Sequence, residues 1–409
     1  MMSFRIVSIR RIHKGGLAYQ CGSGAEVGGV IPSLTATNIA LTGQTGGIDA
    51  PFMVNRTGSD GRETGGRGTA METPTQTARV LAAQAGDQMA FETLVGAYRR
   101  ELLVHCYRML GSLHDAEDLV QETLLRAWEK CTTLTSPGSY RAWLYRIATN
   151  LCLDRLRSAP RRSLPLETHP VSDPSSPSPK EVRESIWLEP FPDDLLADSG
   201  ADPEDRALQR EQTTLAFLMA LQHLTPAQRA ILLLREVLEW EAREVASWLN
   251  LSVPAVNSGL QRARRALRER NLLPEKETAL PTPQLQSLLN RYVTCWEQAD
   301  IPGLVELLRE DAWFTMPPLP VWVQGRAAIT IWLATTLLVP NRSFRLLPAR
   351  ANGSPAFGLY RRQNEEEVYQ LFGLMVLGVE GERISSVVGF LEVSSLSCFA
   401  LPPTLLQVL

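Results

Sequence analysis

Asn257, Ser258, Gln261, Arg262, Arg264 and Arg265 fall on one side of a helical pattern that follows Ser252. Val256, Leu260, Ala263 and Leu267 fall on the other. Asn, Gln and Arg can bond base edges in the major groove of DNA, and Arg also neutralises phosphates. A second basic stretch, residues 141–162, holds six Arg against one Asp, with Tyr140, Trp143 and Tyr145 interleaved or adjacent. Arg beside aromatic rings suits the holding of unstacked single strands, which stack on the rings while the cations track the backbone. Trp143 fits a core position better, whereas Arg141, Arg146 and Arg155 favour a functional role. Just upstream, Asp115, Glu117, Asp118 and Glu122 crowd the first two turns of a helix. The helix dipole alone favours carboxylates there, and an acidic, Leu-flanked face also suits docking on a basic partner protein.

These side chains need helices to present them. In AFETLVGAYRRELLVHCYRMLG the apolar Phe91, Leu94, Val95, Tyr98, Leu102, Leu103, Cys106 and Leu110 recur at helical spacing. Ser112 precedes a second helix with a stripe of Ala116, Leu119, Val120, Thr123, Leu124 and Trp128. After the breaker SPG at 136–138, Trp143, Leu144, Ile147, Leu151 and Leu156 mark a third. Pro226 opens another helix, the favoured place for Pro at a first helical position. EAREVASWLN then makes a short helix that buries Val245, Ala246 and Leu249. A tight break at Asn250-Leu251-Ser252 leads into VPAVNSGLQRARRALRER, with Ser252 as cap and Pro254 in the first turn. Two short helices around such a turn, the second rich in Arg, form a helix-turn-helix pattern.

Composition hides this arrangement. The 409 residues carry a formal net charge of −3, yet residues 141–162 carry +5, residues 253–270 carry +4 and residues 163–214 carry −8. Residues 161–214 read as an acidic, Pro-rich linker, with IWLEPFPDDLL as its one apolar island. Residues 1–70 hold 14 of the 28 Gly and show no apolar periodicity, so they read as a disordered extension, and Met71 is a candidate translation start. The six Cys are scattered without metal spacing and suit reduced thiols in the cytoplasm. No run is long enough to cross a bilayer, and the expectation is a protein with no metal, no cofactor and no membrane partner. From about residue 284 two helices (about 284–299 and 302–309) precede β-rich runs such as AWFTM, FGLYRR, VYQLFGLMVLGV and RISSVVGFLEV, which predicts an α+β domain with a curved antiparallel sheet.

HDAEDLVQETLLRAWEK, SYRAWLYRIATNLCLDRLR and LTPAQRAILLLREVLEWEAREVASWLNLSVPAVNSGLQRARRAL, in that order, resemble the extracytoplasmic-function (ECF) sigma factors of the sigma-70 family. The resemblance implies a sigma region 2 over 76–160, an acidic linker over 161–214 and a sigma region 4 with the helix-turn-helix over 215–272. It implies core RNA polymerase, through its clamp and flap, and promoter DNA as partners. The motif at 115–123 matches the clamp-binding segment, and Asp115, Glu117, Asp118, Leu119, Gln121 and Glu122 are its implied contacts. Tyr140, Arg141, Trp143, Tyr145, Arg146, Asn150, Arg155 and Arg157 are implied to melt and read the −10 element; Asp154 falls in the same helix. Ser252, Pro254, Ala255, Asn257, Ser258, Gln261, Arg262, Arg264 and Arg265 are implied to meet the −35 element. Many members carry a basic residue, Ser and Arg where this chain has Asn257-Ser258-Gly259, a departure that removes two cations and alters the promoter sequence read. The linker of such a factor threads the nucleic-acid path of the polymerase, which its carboxylates would suit.

QSLLNRYVTCWEQADIPGLVELLREDAWFTMPP resembles the start of a SnoaL-like domain, a cone of bent sheet and helices shared by polyketide cyclases and isomerases. The expected fold is therefore multidomain: two all-α domains followed by a SnoaL-like cone over 281–400. All five His (13, 105, 114, 169, 223) precede that domain, so it contains no His–Asp pair for acid–base work. Asp300 and Asp311 fit helix ends or turns. Trp296, Trp313, Trp322, Trp332, Phe344, Tyr360, Tyr369 and Phe372 either line a pocket for an apolar ligand or form the core. A regulatory domain without catalytic residues is the favoured expectation. The alternative is a DNA-binding protein fused to a cyclase- or isomerase-type enzyme.

Overall fold

The structure is a computed structural model that describes residues 74–133, 140–158, 160–176, 187–196, 210–269, 282–364 and 367–406. The Gly-rich extension and linker residues 177–186 and 197–209 lie outside the described residues. The first helical body comprises α1 (Pro74–Gln84), α2 (Gln88–Leu110), α3 (Leu113–Glu129) and α4 (Tyr140–Ser158). Asp87 and Ser112 cap α2 and α3 by accepting from Ala90 N and Asp115 N, which pairs amide groups that the helix itself leaves open. Leu94, Leu102, Cys106, Ala116, Val120, Leu144, Ala148 and Leu151 are buried, as their spacing required.

The second body holds α5 (Leu215–Gln222), α6 (Pro226–Leu232), α7 (Ala242–Leu249) and α8 (Val253–Glu269). Thr225 and Gln228 close a capping box around Pro226 at the start of α6. α7 stops at Asn250, whose φ of 54° is the left-handed cap that Asn tolerates. Ser252 then caps α8 by accepting from Ala255 N at 3.2 Å. Val256, Leu260, Ala263 and Leu267 all turn inward.

The third body begins with α9 (Thr282–Glu297) and α10 (Ile301–Leu307). Strands β1 (Leu308–Thr315) and β2 (Trp322–Gln324) follow, then α11 (Arg326–Trp332). The remaining strands are β3 (Arg342–Ala351), β4 (Ser354–Gln363), β5 (Val368–Glu380), β6 (Arg383–Phe390) and β7 (Thr404–Leu406). The sheet order is β2-β1-β6-β5-β4-β3, with β7 on β5. The expected all-antiparallel sheet is corrected to a mixed one, because β1 and β6 run parallel. Parallel neighbours need a long crossover, and here α11 and the β3–β5 meander supply it.

Alternate residues give the sheet two apolar faces. Phe314, Phe357, Leu359, Met375, Leu377, Ile384 and Val387 pack with Tyr292, Trp296, Leu304 and Trp332 inside the cone. Ala356, Leu374, Val376, Val388 and Phe390 face the other way and join one continuous core with the helical bodies.

The acidic, Pro-rich linker is packed where it is described. Ser172 N donates to Trp322 O at 2.9 Å and Trp322 Nε1 donates to His169 O at 2.9 Å, so residues 169–172 cover the edge strand β2. At the opposite edge Pro192 bridges Ala351 of β3. Leu188 and Phe191, from the apolar island, are buried. Covering both sheet edges satisfies backbone groups that would otherwise invite pairing with another chain.

Candidate nucleic-acid and polymerase interfaces

On α8 the outward residues Asn257, Gln261, Arg262, Arg264 and Arg265 are exposed, as are Ser252 and Pro254, with Ala255 and Ser258 half-buried. Arg264 pairs with Glu236 and Arg265 with Glu269 on the same surface. Exposed pairs like these contribute little to stability and exchange readily for phosphate. Gly259 is different. It is buried, and a Cβ there would meet Ile231 Cδ1 at 2.7 Å, so it sets the close approach of α8 to α6 rather than leaving a gap on the exposed face. Gly259→Val is expected to cost about 1–3 kcal/mol through overpacking, read as a lower urea midpoint. Gly259→Ala should stay near wild type, because the Ile231 methyl can yield and Ala gains helix propensity.

On α4 the residues separate by depth. Arg146, Asn150, Arg155 and Arg157 are exposed, Arg141 and Trp143 are half-buried, and Tyr140 and Tyr145 are buried. Arg141 makes a two-point contact with Glu101 of α2, at 3.1 and 2.8 Å. Its guanidinium also lies 5.2 Å from the Tyr145 ring centroid and 5.5 Å from that of Trp240. Burial works against the Arg141 charge, but Glu101 and Tyr145 outweigh it and hold the pKa above the usual Arg value. Arg157 pairs with Asp154 on the exposed surface. Behind these residues His105 shares a 2.9 Å hydrogen bond with Thr149 and meets Tyr145 edge-on at 5.1 Å.

On α3, Glu117, Asp118 and Gln121 are exposed, and Leu119 and Glu122 are half-buried, with Glu122 paired to Arg126. Asp115 stands apart from its neighbours: it is buried and paired to Arg155 at 2.5 Å and Arg162 at 2.6 Å. Burial alone would raise its pKa, but Arg162 and then Arg155 outweigh this and lower it below the ordinary Asp value. Glu189 of the linker completes the cluster. It accepts from Ser112 Oγ at 2.8 Å and His114 N at 3.1 Å, and pairs with Arg162 at 3.2 Å. A carboxylate at the α3 N-terminus complements the helix dipole.

The β3–β4 hairpin tip reaches this same region. Asn352 accepts from Phe191 N at 3.0 Å and donates to Tyr107 Oη at 2.8 Å and to Thr213 O at 3.0 Å. Asp193 accepts from Gly353 N at 2.7 Å and Arg350 Nε at 3.1 Å. A Cβ on Gly353 would meet Arg210 O at 2.6 Å, and its φ of 70° suits Gly alone. Arg108 donates to Gln212 O at 3.1 Å, and Arg229 of α6 donates to Met109 O at the end of α2. Both guanidiniums have pKa values lowered to about 10 by burial, low for Arg yet still charged at neutral pH. The linker carboxylates Glu167, Glu189 and Asp193 are all engaged within the protein.

The cone does not gather the eight aromatic residues into one pocket. Trp296 meets Phe344 edge-on and Trp332 meets Phe314 edge-on inside it, whereas Trp322 meets the linker and Tyr360 donates to Pro402 O at 2.8 Å. Residues alternate across a strand, so an even list of aromatics divides between faces. Asp300 caps α10 by accepting from Gly303 N, and Asp311 pairs with Arg309. Sequence reasoning missed Glu101, Arg108, Arg162, Glu189 and Trp240, whose partners lie far along the chain. For Asn352 the Asn-Gly dipeptide was a visible hairpin signal.

Two helical bodies, one with an exposed Arg-rich helix behind a tight turn and one with a cation–aromatic helix, define a sigma-70-type architecture. The family profile for Sigma-70 region 2 matches residues 94–162, that for Sigma-70, region 4 matches 214–267, and that for the SnoaL-like domain matches 289–387. The chain is 45% identical over 335 residues to ECF RNA polymerase sigma factor SigG of Mycobacterium tuberculosis, covering 80% of this chain and 89% of that one. SigW of Bacillus subtilis is 31% identical over 191 residues, 47% of this chain and 94% of SigW. Among solved structures, that of the M. tuberculosis ECF sigma factor SigJ covers 75% of this chain and 98% of its own at 21% identity, with a TM-score of 0.48. This chain belongs to the ECF sigma factors, with a SnoaL-like domain fused behind region 4.

Proposed function

We propose that this chain binds core RNA polymerase and directs promoter-specific initiation in the cytoplasm, and that its C-terminal domain tunes that activity without catalysis. The observation that carries the DNA part is the α8 surface, where Asn257, Gln261, Arg262 and Arg265 stand exposed over a fully packed inner face. Glu117, Asp118, Leu119, Gln121 and Glu122 of α3 offer a surface for the polymerase clamp. Asp115 serves that surface indirectly, by holding Arg155 and Arg162. On α4, Arg146, Asn150, Arg155 and Arg157 meet the −10 strand, with Arg141, Trp143 and Tyr145 behind them. The C-terminal domain acts through the Asn352 hairpin tip, which holds the linker and α2 of the first body together. No helix among the described residues is long and apolar enough to cross a membrane.

Run-off transcription with purified core polymerase tests this reading. Promoter-specific transcripts should appear only when the chain is added, and their absence on every promoter tried from a genomic library would reject it. Replacing Arg262 and Arg265 together by Ala should weaken promoter binding and reduce the slope of log affinity against log salt by about 2, roughly one for each phosphate left without its cation. An unchanged slope would place these residues off the DNA.

A further inference from the structure

The connection between α6 and α7 is unusual in its backbone. α6 runs into a π-helical turn, Leu233–Val237, and Glu239 follows with a φ of 55°, a left-handed conformation that disfavours a side chain such as Glu. Trp240 N closes this turn on Leu234 O at 2.9 Å, and Arg235 donates to Trp240 O. Such π-turns and strained residues concentrate at functional positions. Here they place the Trp240 indole between Trp248 of α7 and α4 of the first body.

The indole lands on the cation–aromatic helix. Its ring is 5.5 Å from the Arg141 guanidinium and 5.9 Å from the Tyr145 ring, tilted by 54°, while Trp248 meets it edge-on at 4.4 Å from the other side. Glu101 anchors Arg141 from behind, so the guanidinium is held in place whether or not a ring covers it. Trp240 is 2% exposed, yet its Nε1–H has no hydrogen-bond partner. Tilted and edge-on ring contacts and the nearby guanidinium, rather than a hydrogen bond at Nε1, therefore hold the indole in position. A bicyclic aromatic lying against a guanidinium and a phenol is the arrangement that a protein offers to an unstacked nucleobase.

We propose that Arg141 and Tyr145 form a base-stacking cradle for single-stranded DNA, and that Trp240 of region 4 occupies this cradle as an internal stand-in for the base. The inference rests on the assignment of α4 to the −10 strand and adds how that site is regulated. While region 4 lies on region 2, the cradle is filled and the free chain holds single strands weakly. Separation of the two regions withdraws the indole and bares both cradle residues together. The device couples the spacing of the two DNA-reading bodies to the capture of a flipped base.

Fluorescence anisotropy of the full chain with a labelled single strand of about 12 nucleotides, within the usual reach of such sites, tests the proposal without polymerase. Trp240→Ala and Trp240→Leu should each bind at least tenfold more tightly than wild type; the Leu variant keeps an apolar side chain in case Ala loosens the fold. On a strand of the same length with abasic positions throughout, the variants should show no gain. Adding Arg141→Ala to Trp240→Leu should remove the gain. Equal affinity of wild type and both variants overturns the proposal. So does an equal gain on the abasic strand, which would show that phosphates alone were uncovered. A failure of promoter-specific transcription would strike the functional assignment and leave this binding result intact, so the two failures are distinguishable.

Discussion

Asn352→Ala is expected to destabilise the junction of the C-terminal domain with α2 and the linker by at least about 3 kcal/mol. Asn352 is fully buried and sits at the tip of the β3–β4 hairpin with φ 55°, followed by Gly353 with φ 70°. Two successive positive φ values are the mark of the tight hairpin turn that Asn-Gly favours. Its amide spends itself on Phe191 N–H, Tyr107 Oη and Thr213 O, which belong respectively to the linker, to α2 and to the segment before α5. Ala would leave a buried amide N–H and a buried carbonyl without partners, each costing about 1–3 kcal/mol, and would add about 1–2 kcal/mol for its left-handed backbone. Urea denaturation should show the C-terminal domain parting from the helices at lower denaturant, and limited proteolysis should cut faster near Phe191. A midpoint within error of wild type would remove Asn352 from this role. Tyr107→Phe should cost less, about 1–2 kcal/mol, because it loses only the hydroxyl that joins Asn352 to Glu189 O.

The reach of that one residue shows what the amino-acid order reveals and what it hides. The helices were legible because burial repeats at their own period: Val256, Leu260, Ala263 and Leu267 of α8 are all inward, and Ser252 caps where it stands. Most strands were legible from β-branched and aromatic runs, but β3 was not. Arg342, Arg345, Pro348 and Arg350 interrupt its apolar alternation, and only an edge strand tolerates that mixture. The parallel pairing of β1 with β6 joins segments far apart in the chain, and no local signal records strand direction. Among the acidic residues of α3, Asp115 looks like Glu117 and Asp118 in composition. Only the arrival of Arg155 and Arg162 turns it inward. In the linker, Pro and carboxylate content gives no sign of where the chain is seated, and the buried Leu188 and Phe191 belong to the one apolar island that interrupts it.

A drop in pH from 7 to 5 should weaken the first helical body through His105. Burial first, and the Arg108 charge second, lower its pKa from 6.5 to about 3. Arg108 on its own helix and Thr149 and Tyr145 on α4 lie against it. Because the folded value lies below the unfolded one, the unfolded chain binds a proton between these limits and the folded chain does not. This contribution is complete above pH 6.5 and is lost as pH falls, at about 1.4 kcal/mol per pH unit, or about 2 kcal/mol by pH 5. Asp115 has the same sign but a lower window: its folded pKa is depressed, so its share is lost only as pH falls below the ordinary Asp range. Urea denaturation of wild type and His105→Gln at pH 7.5 and pH 5 separates the two. The wild type should lose about 2 kcal/mol relative to the variant across that interval. Parallel losses in both would show that His105 takes up its proton in the folded protein.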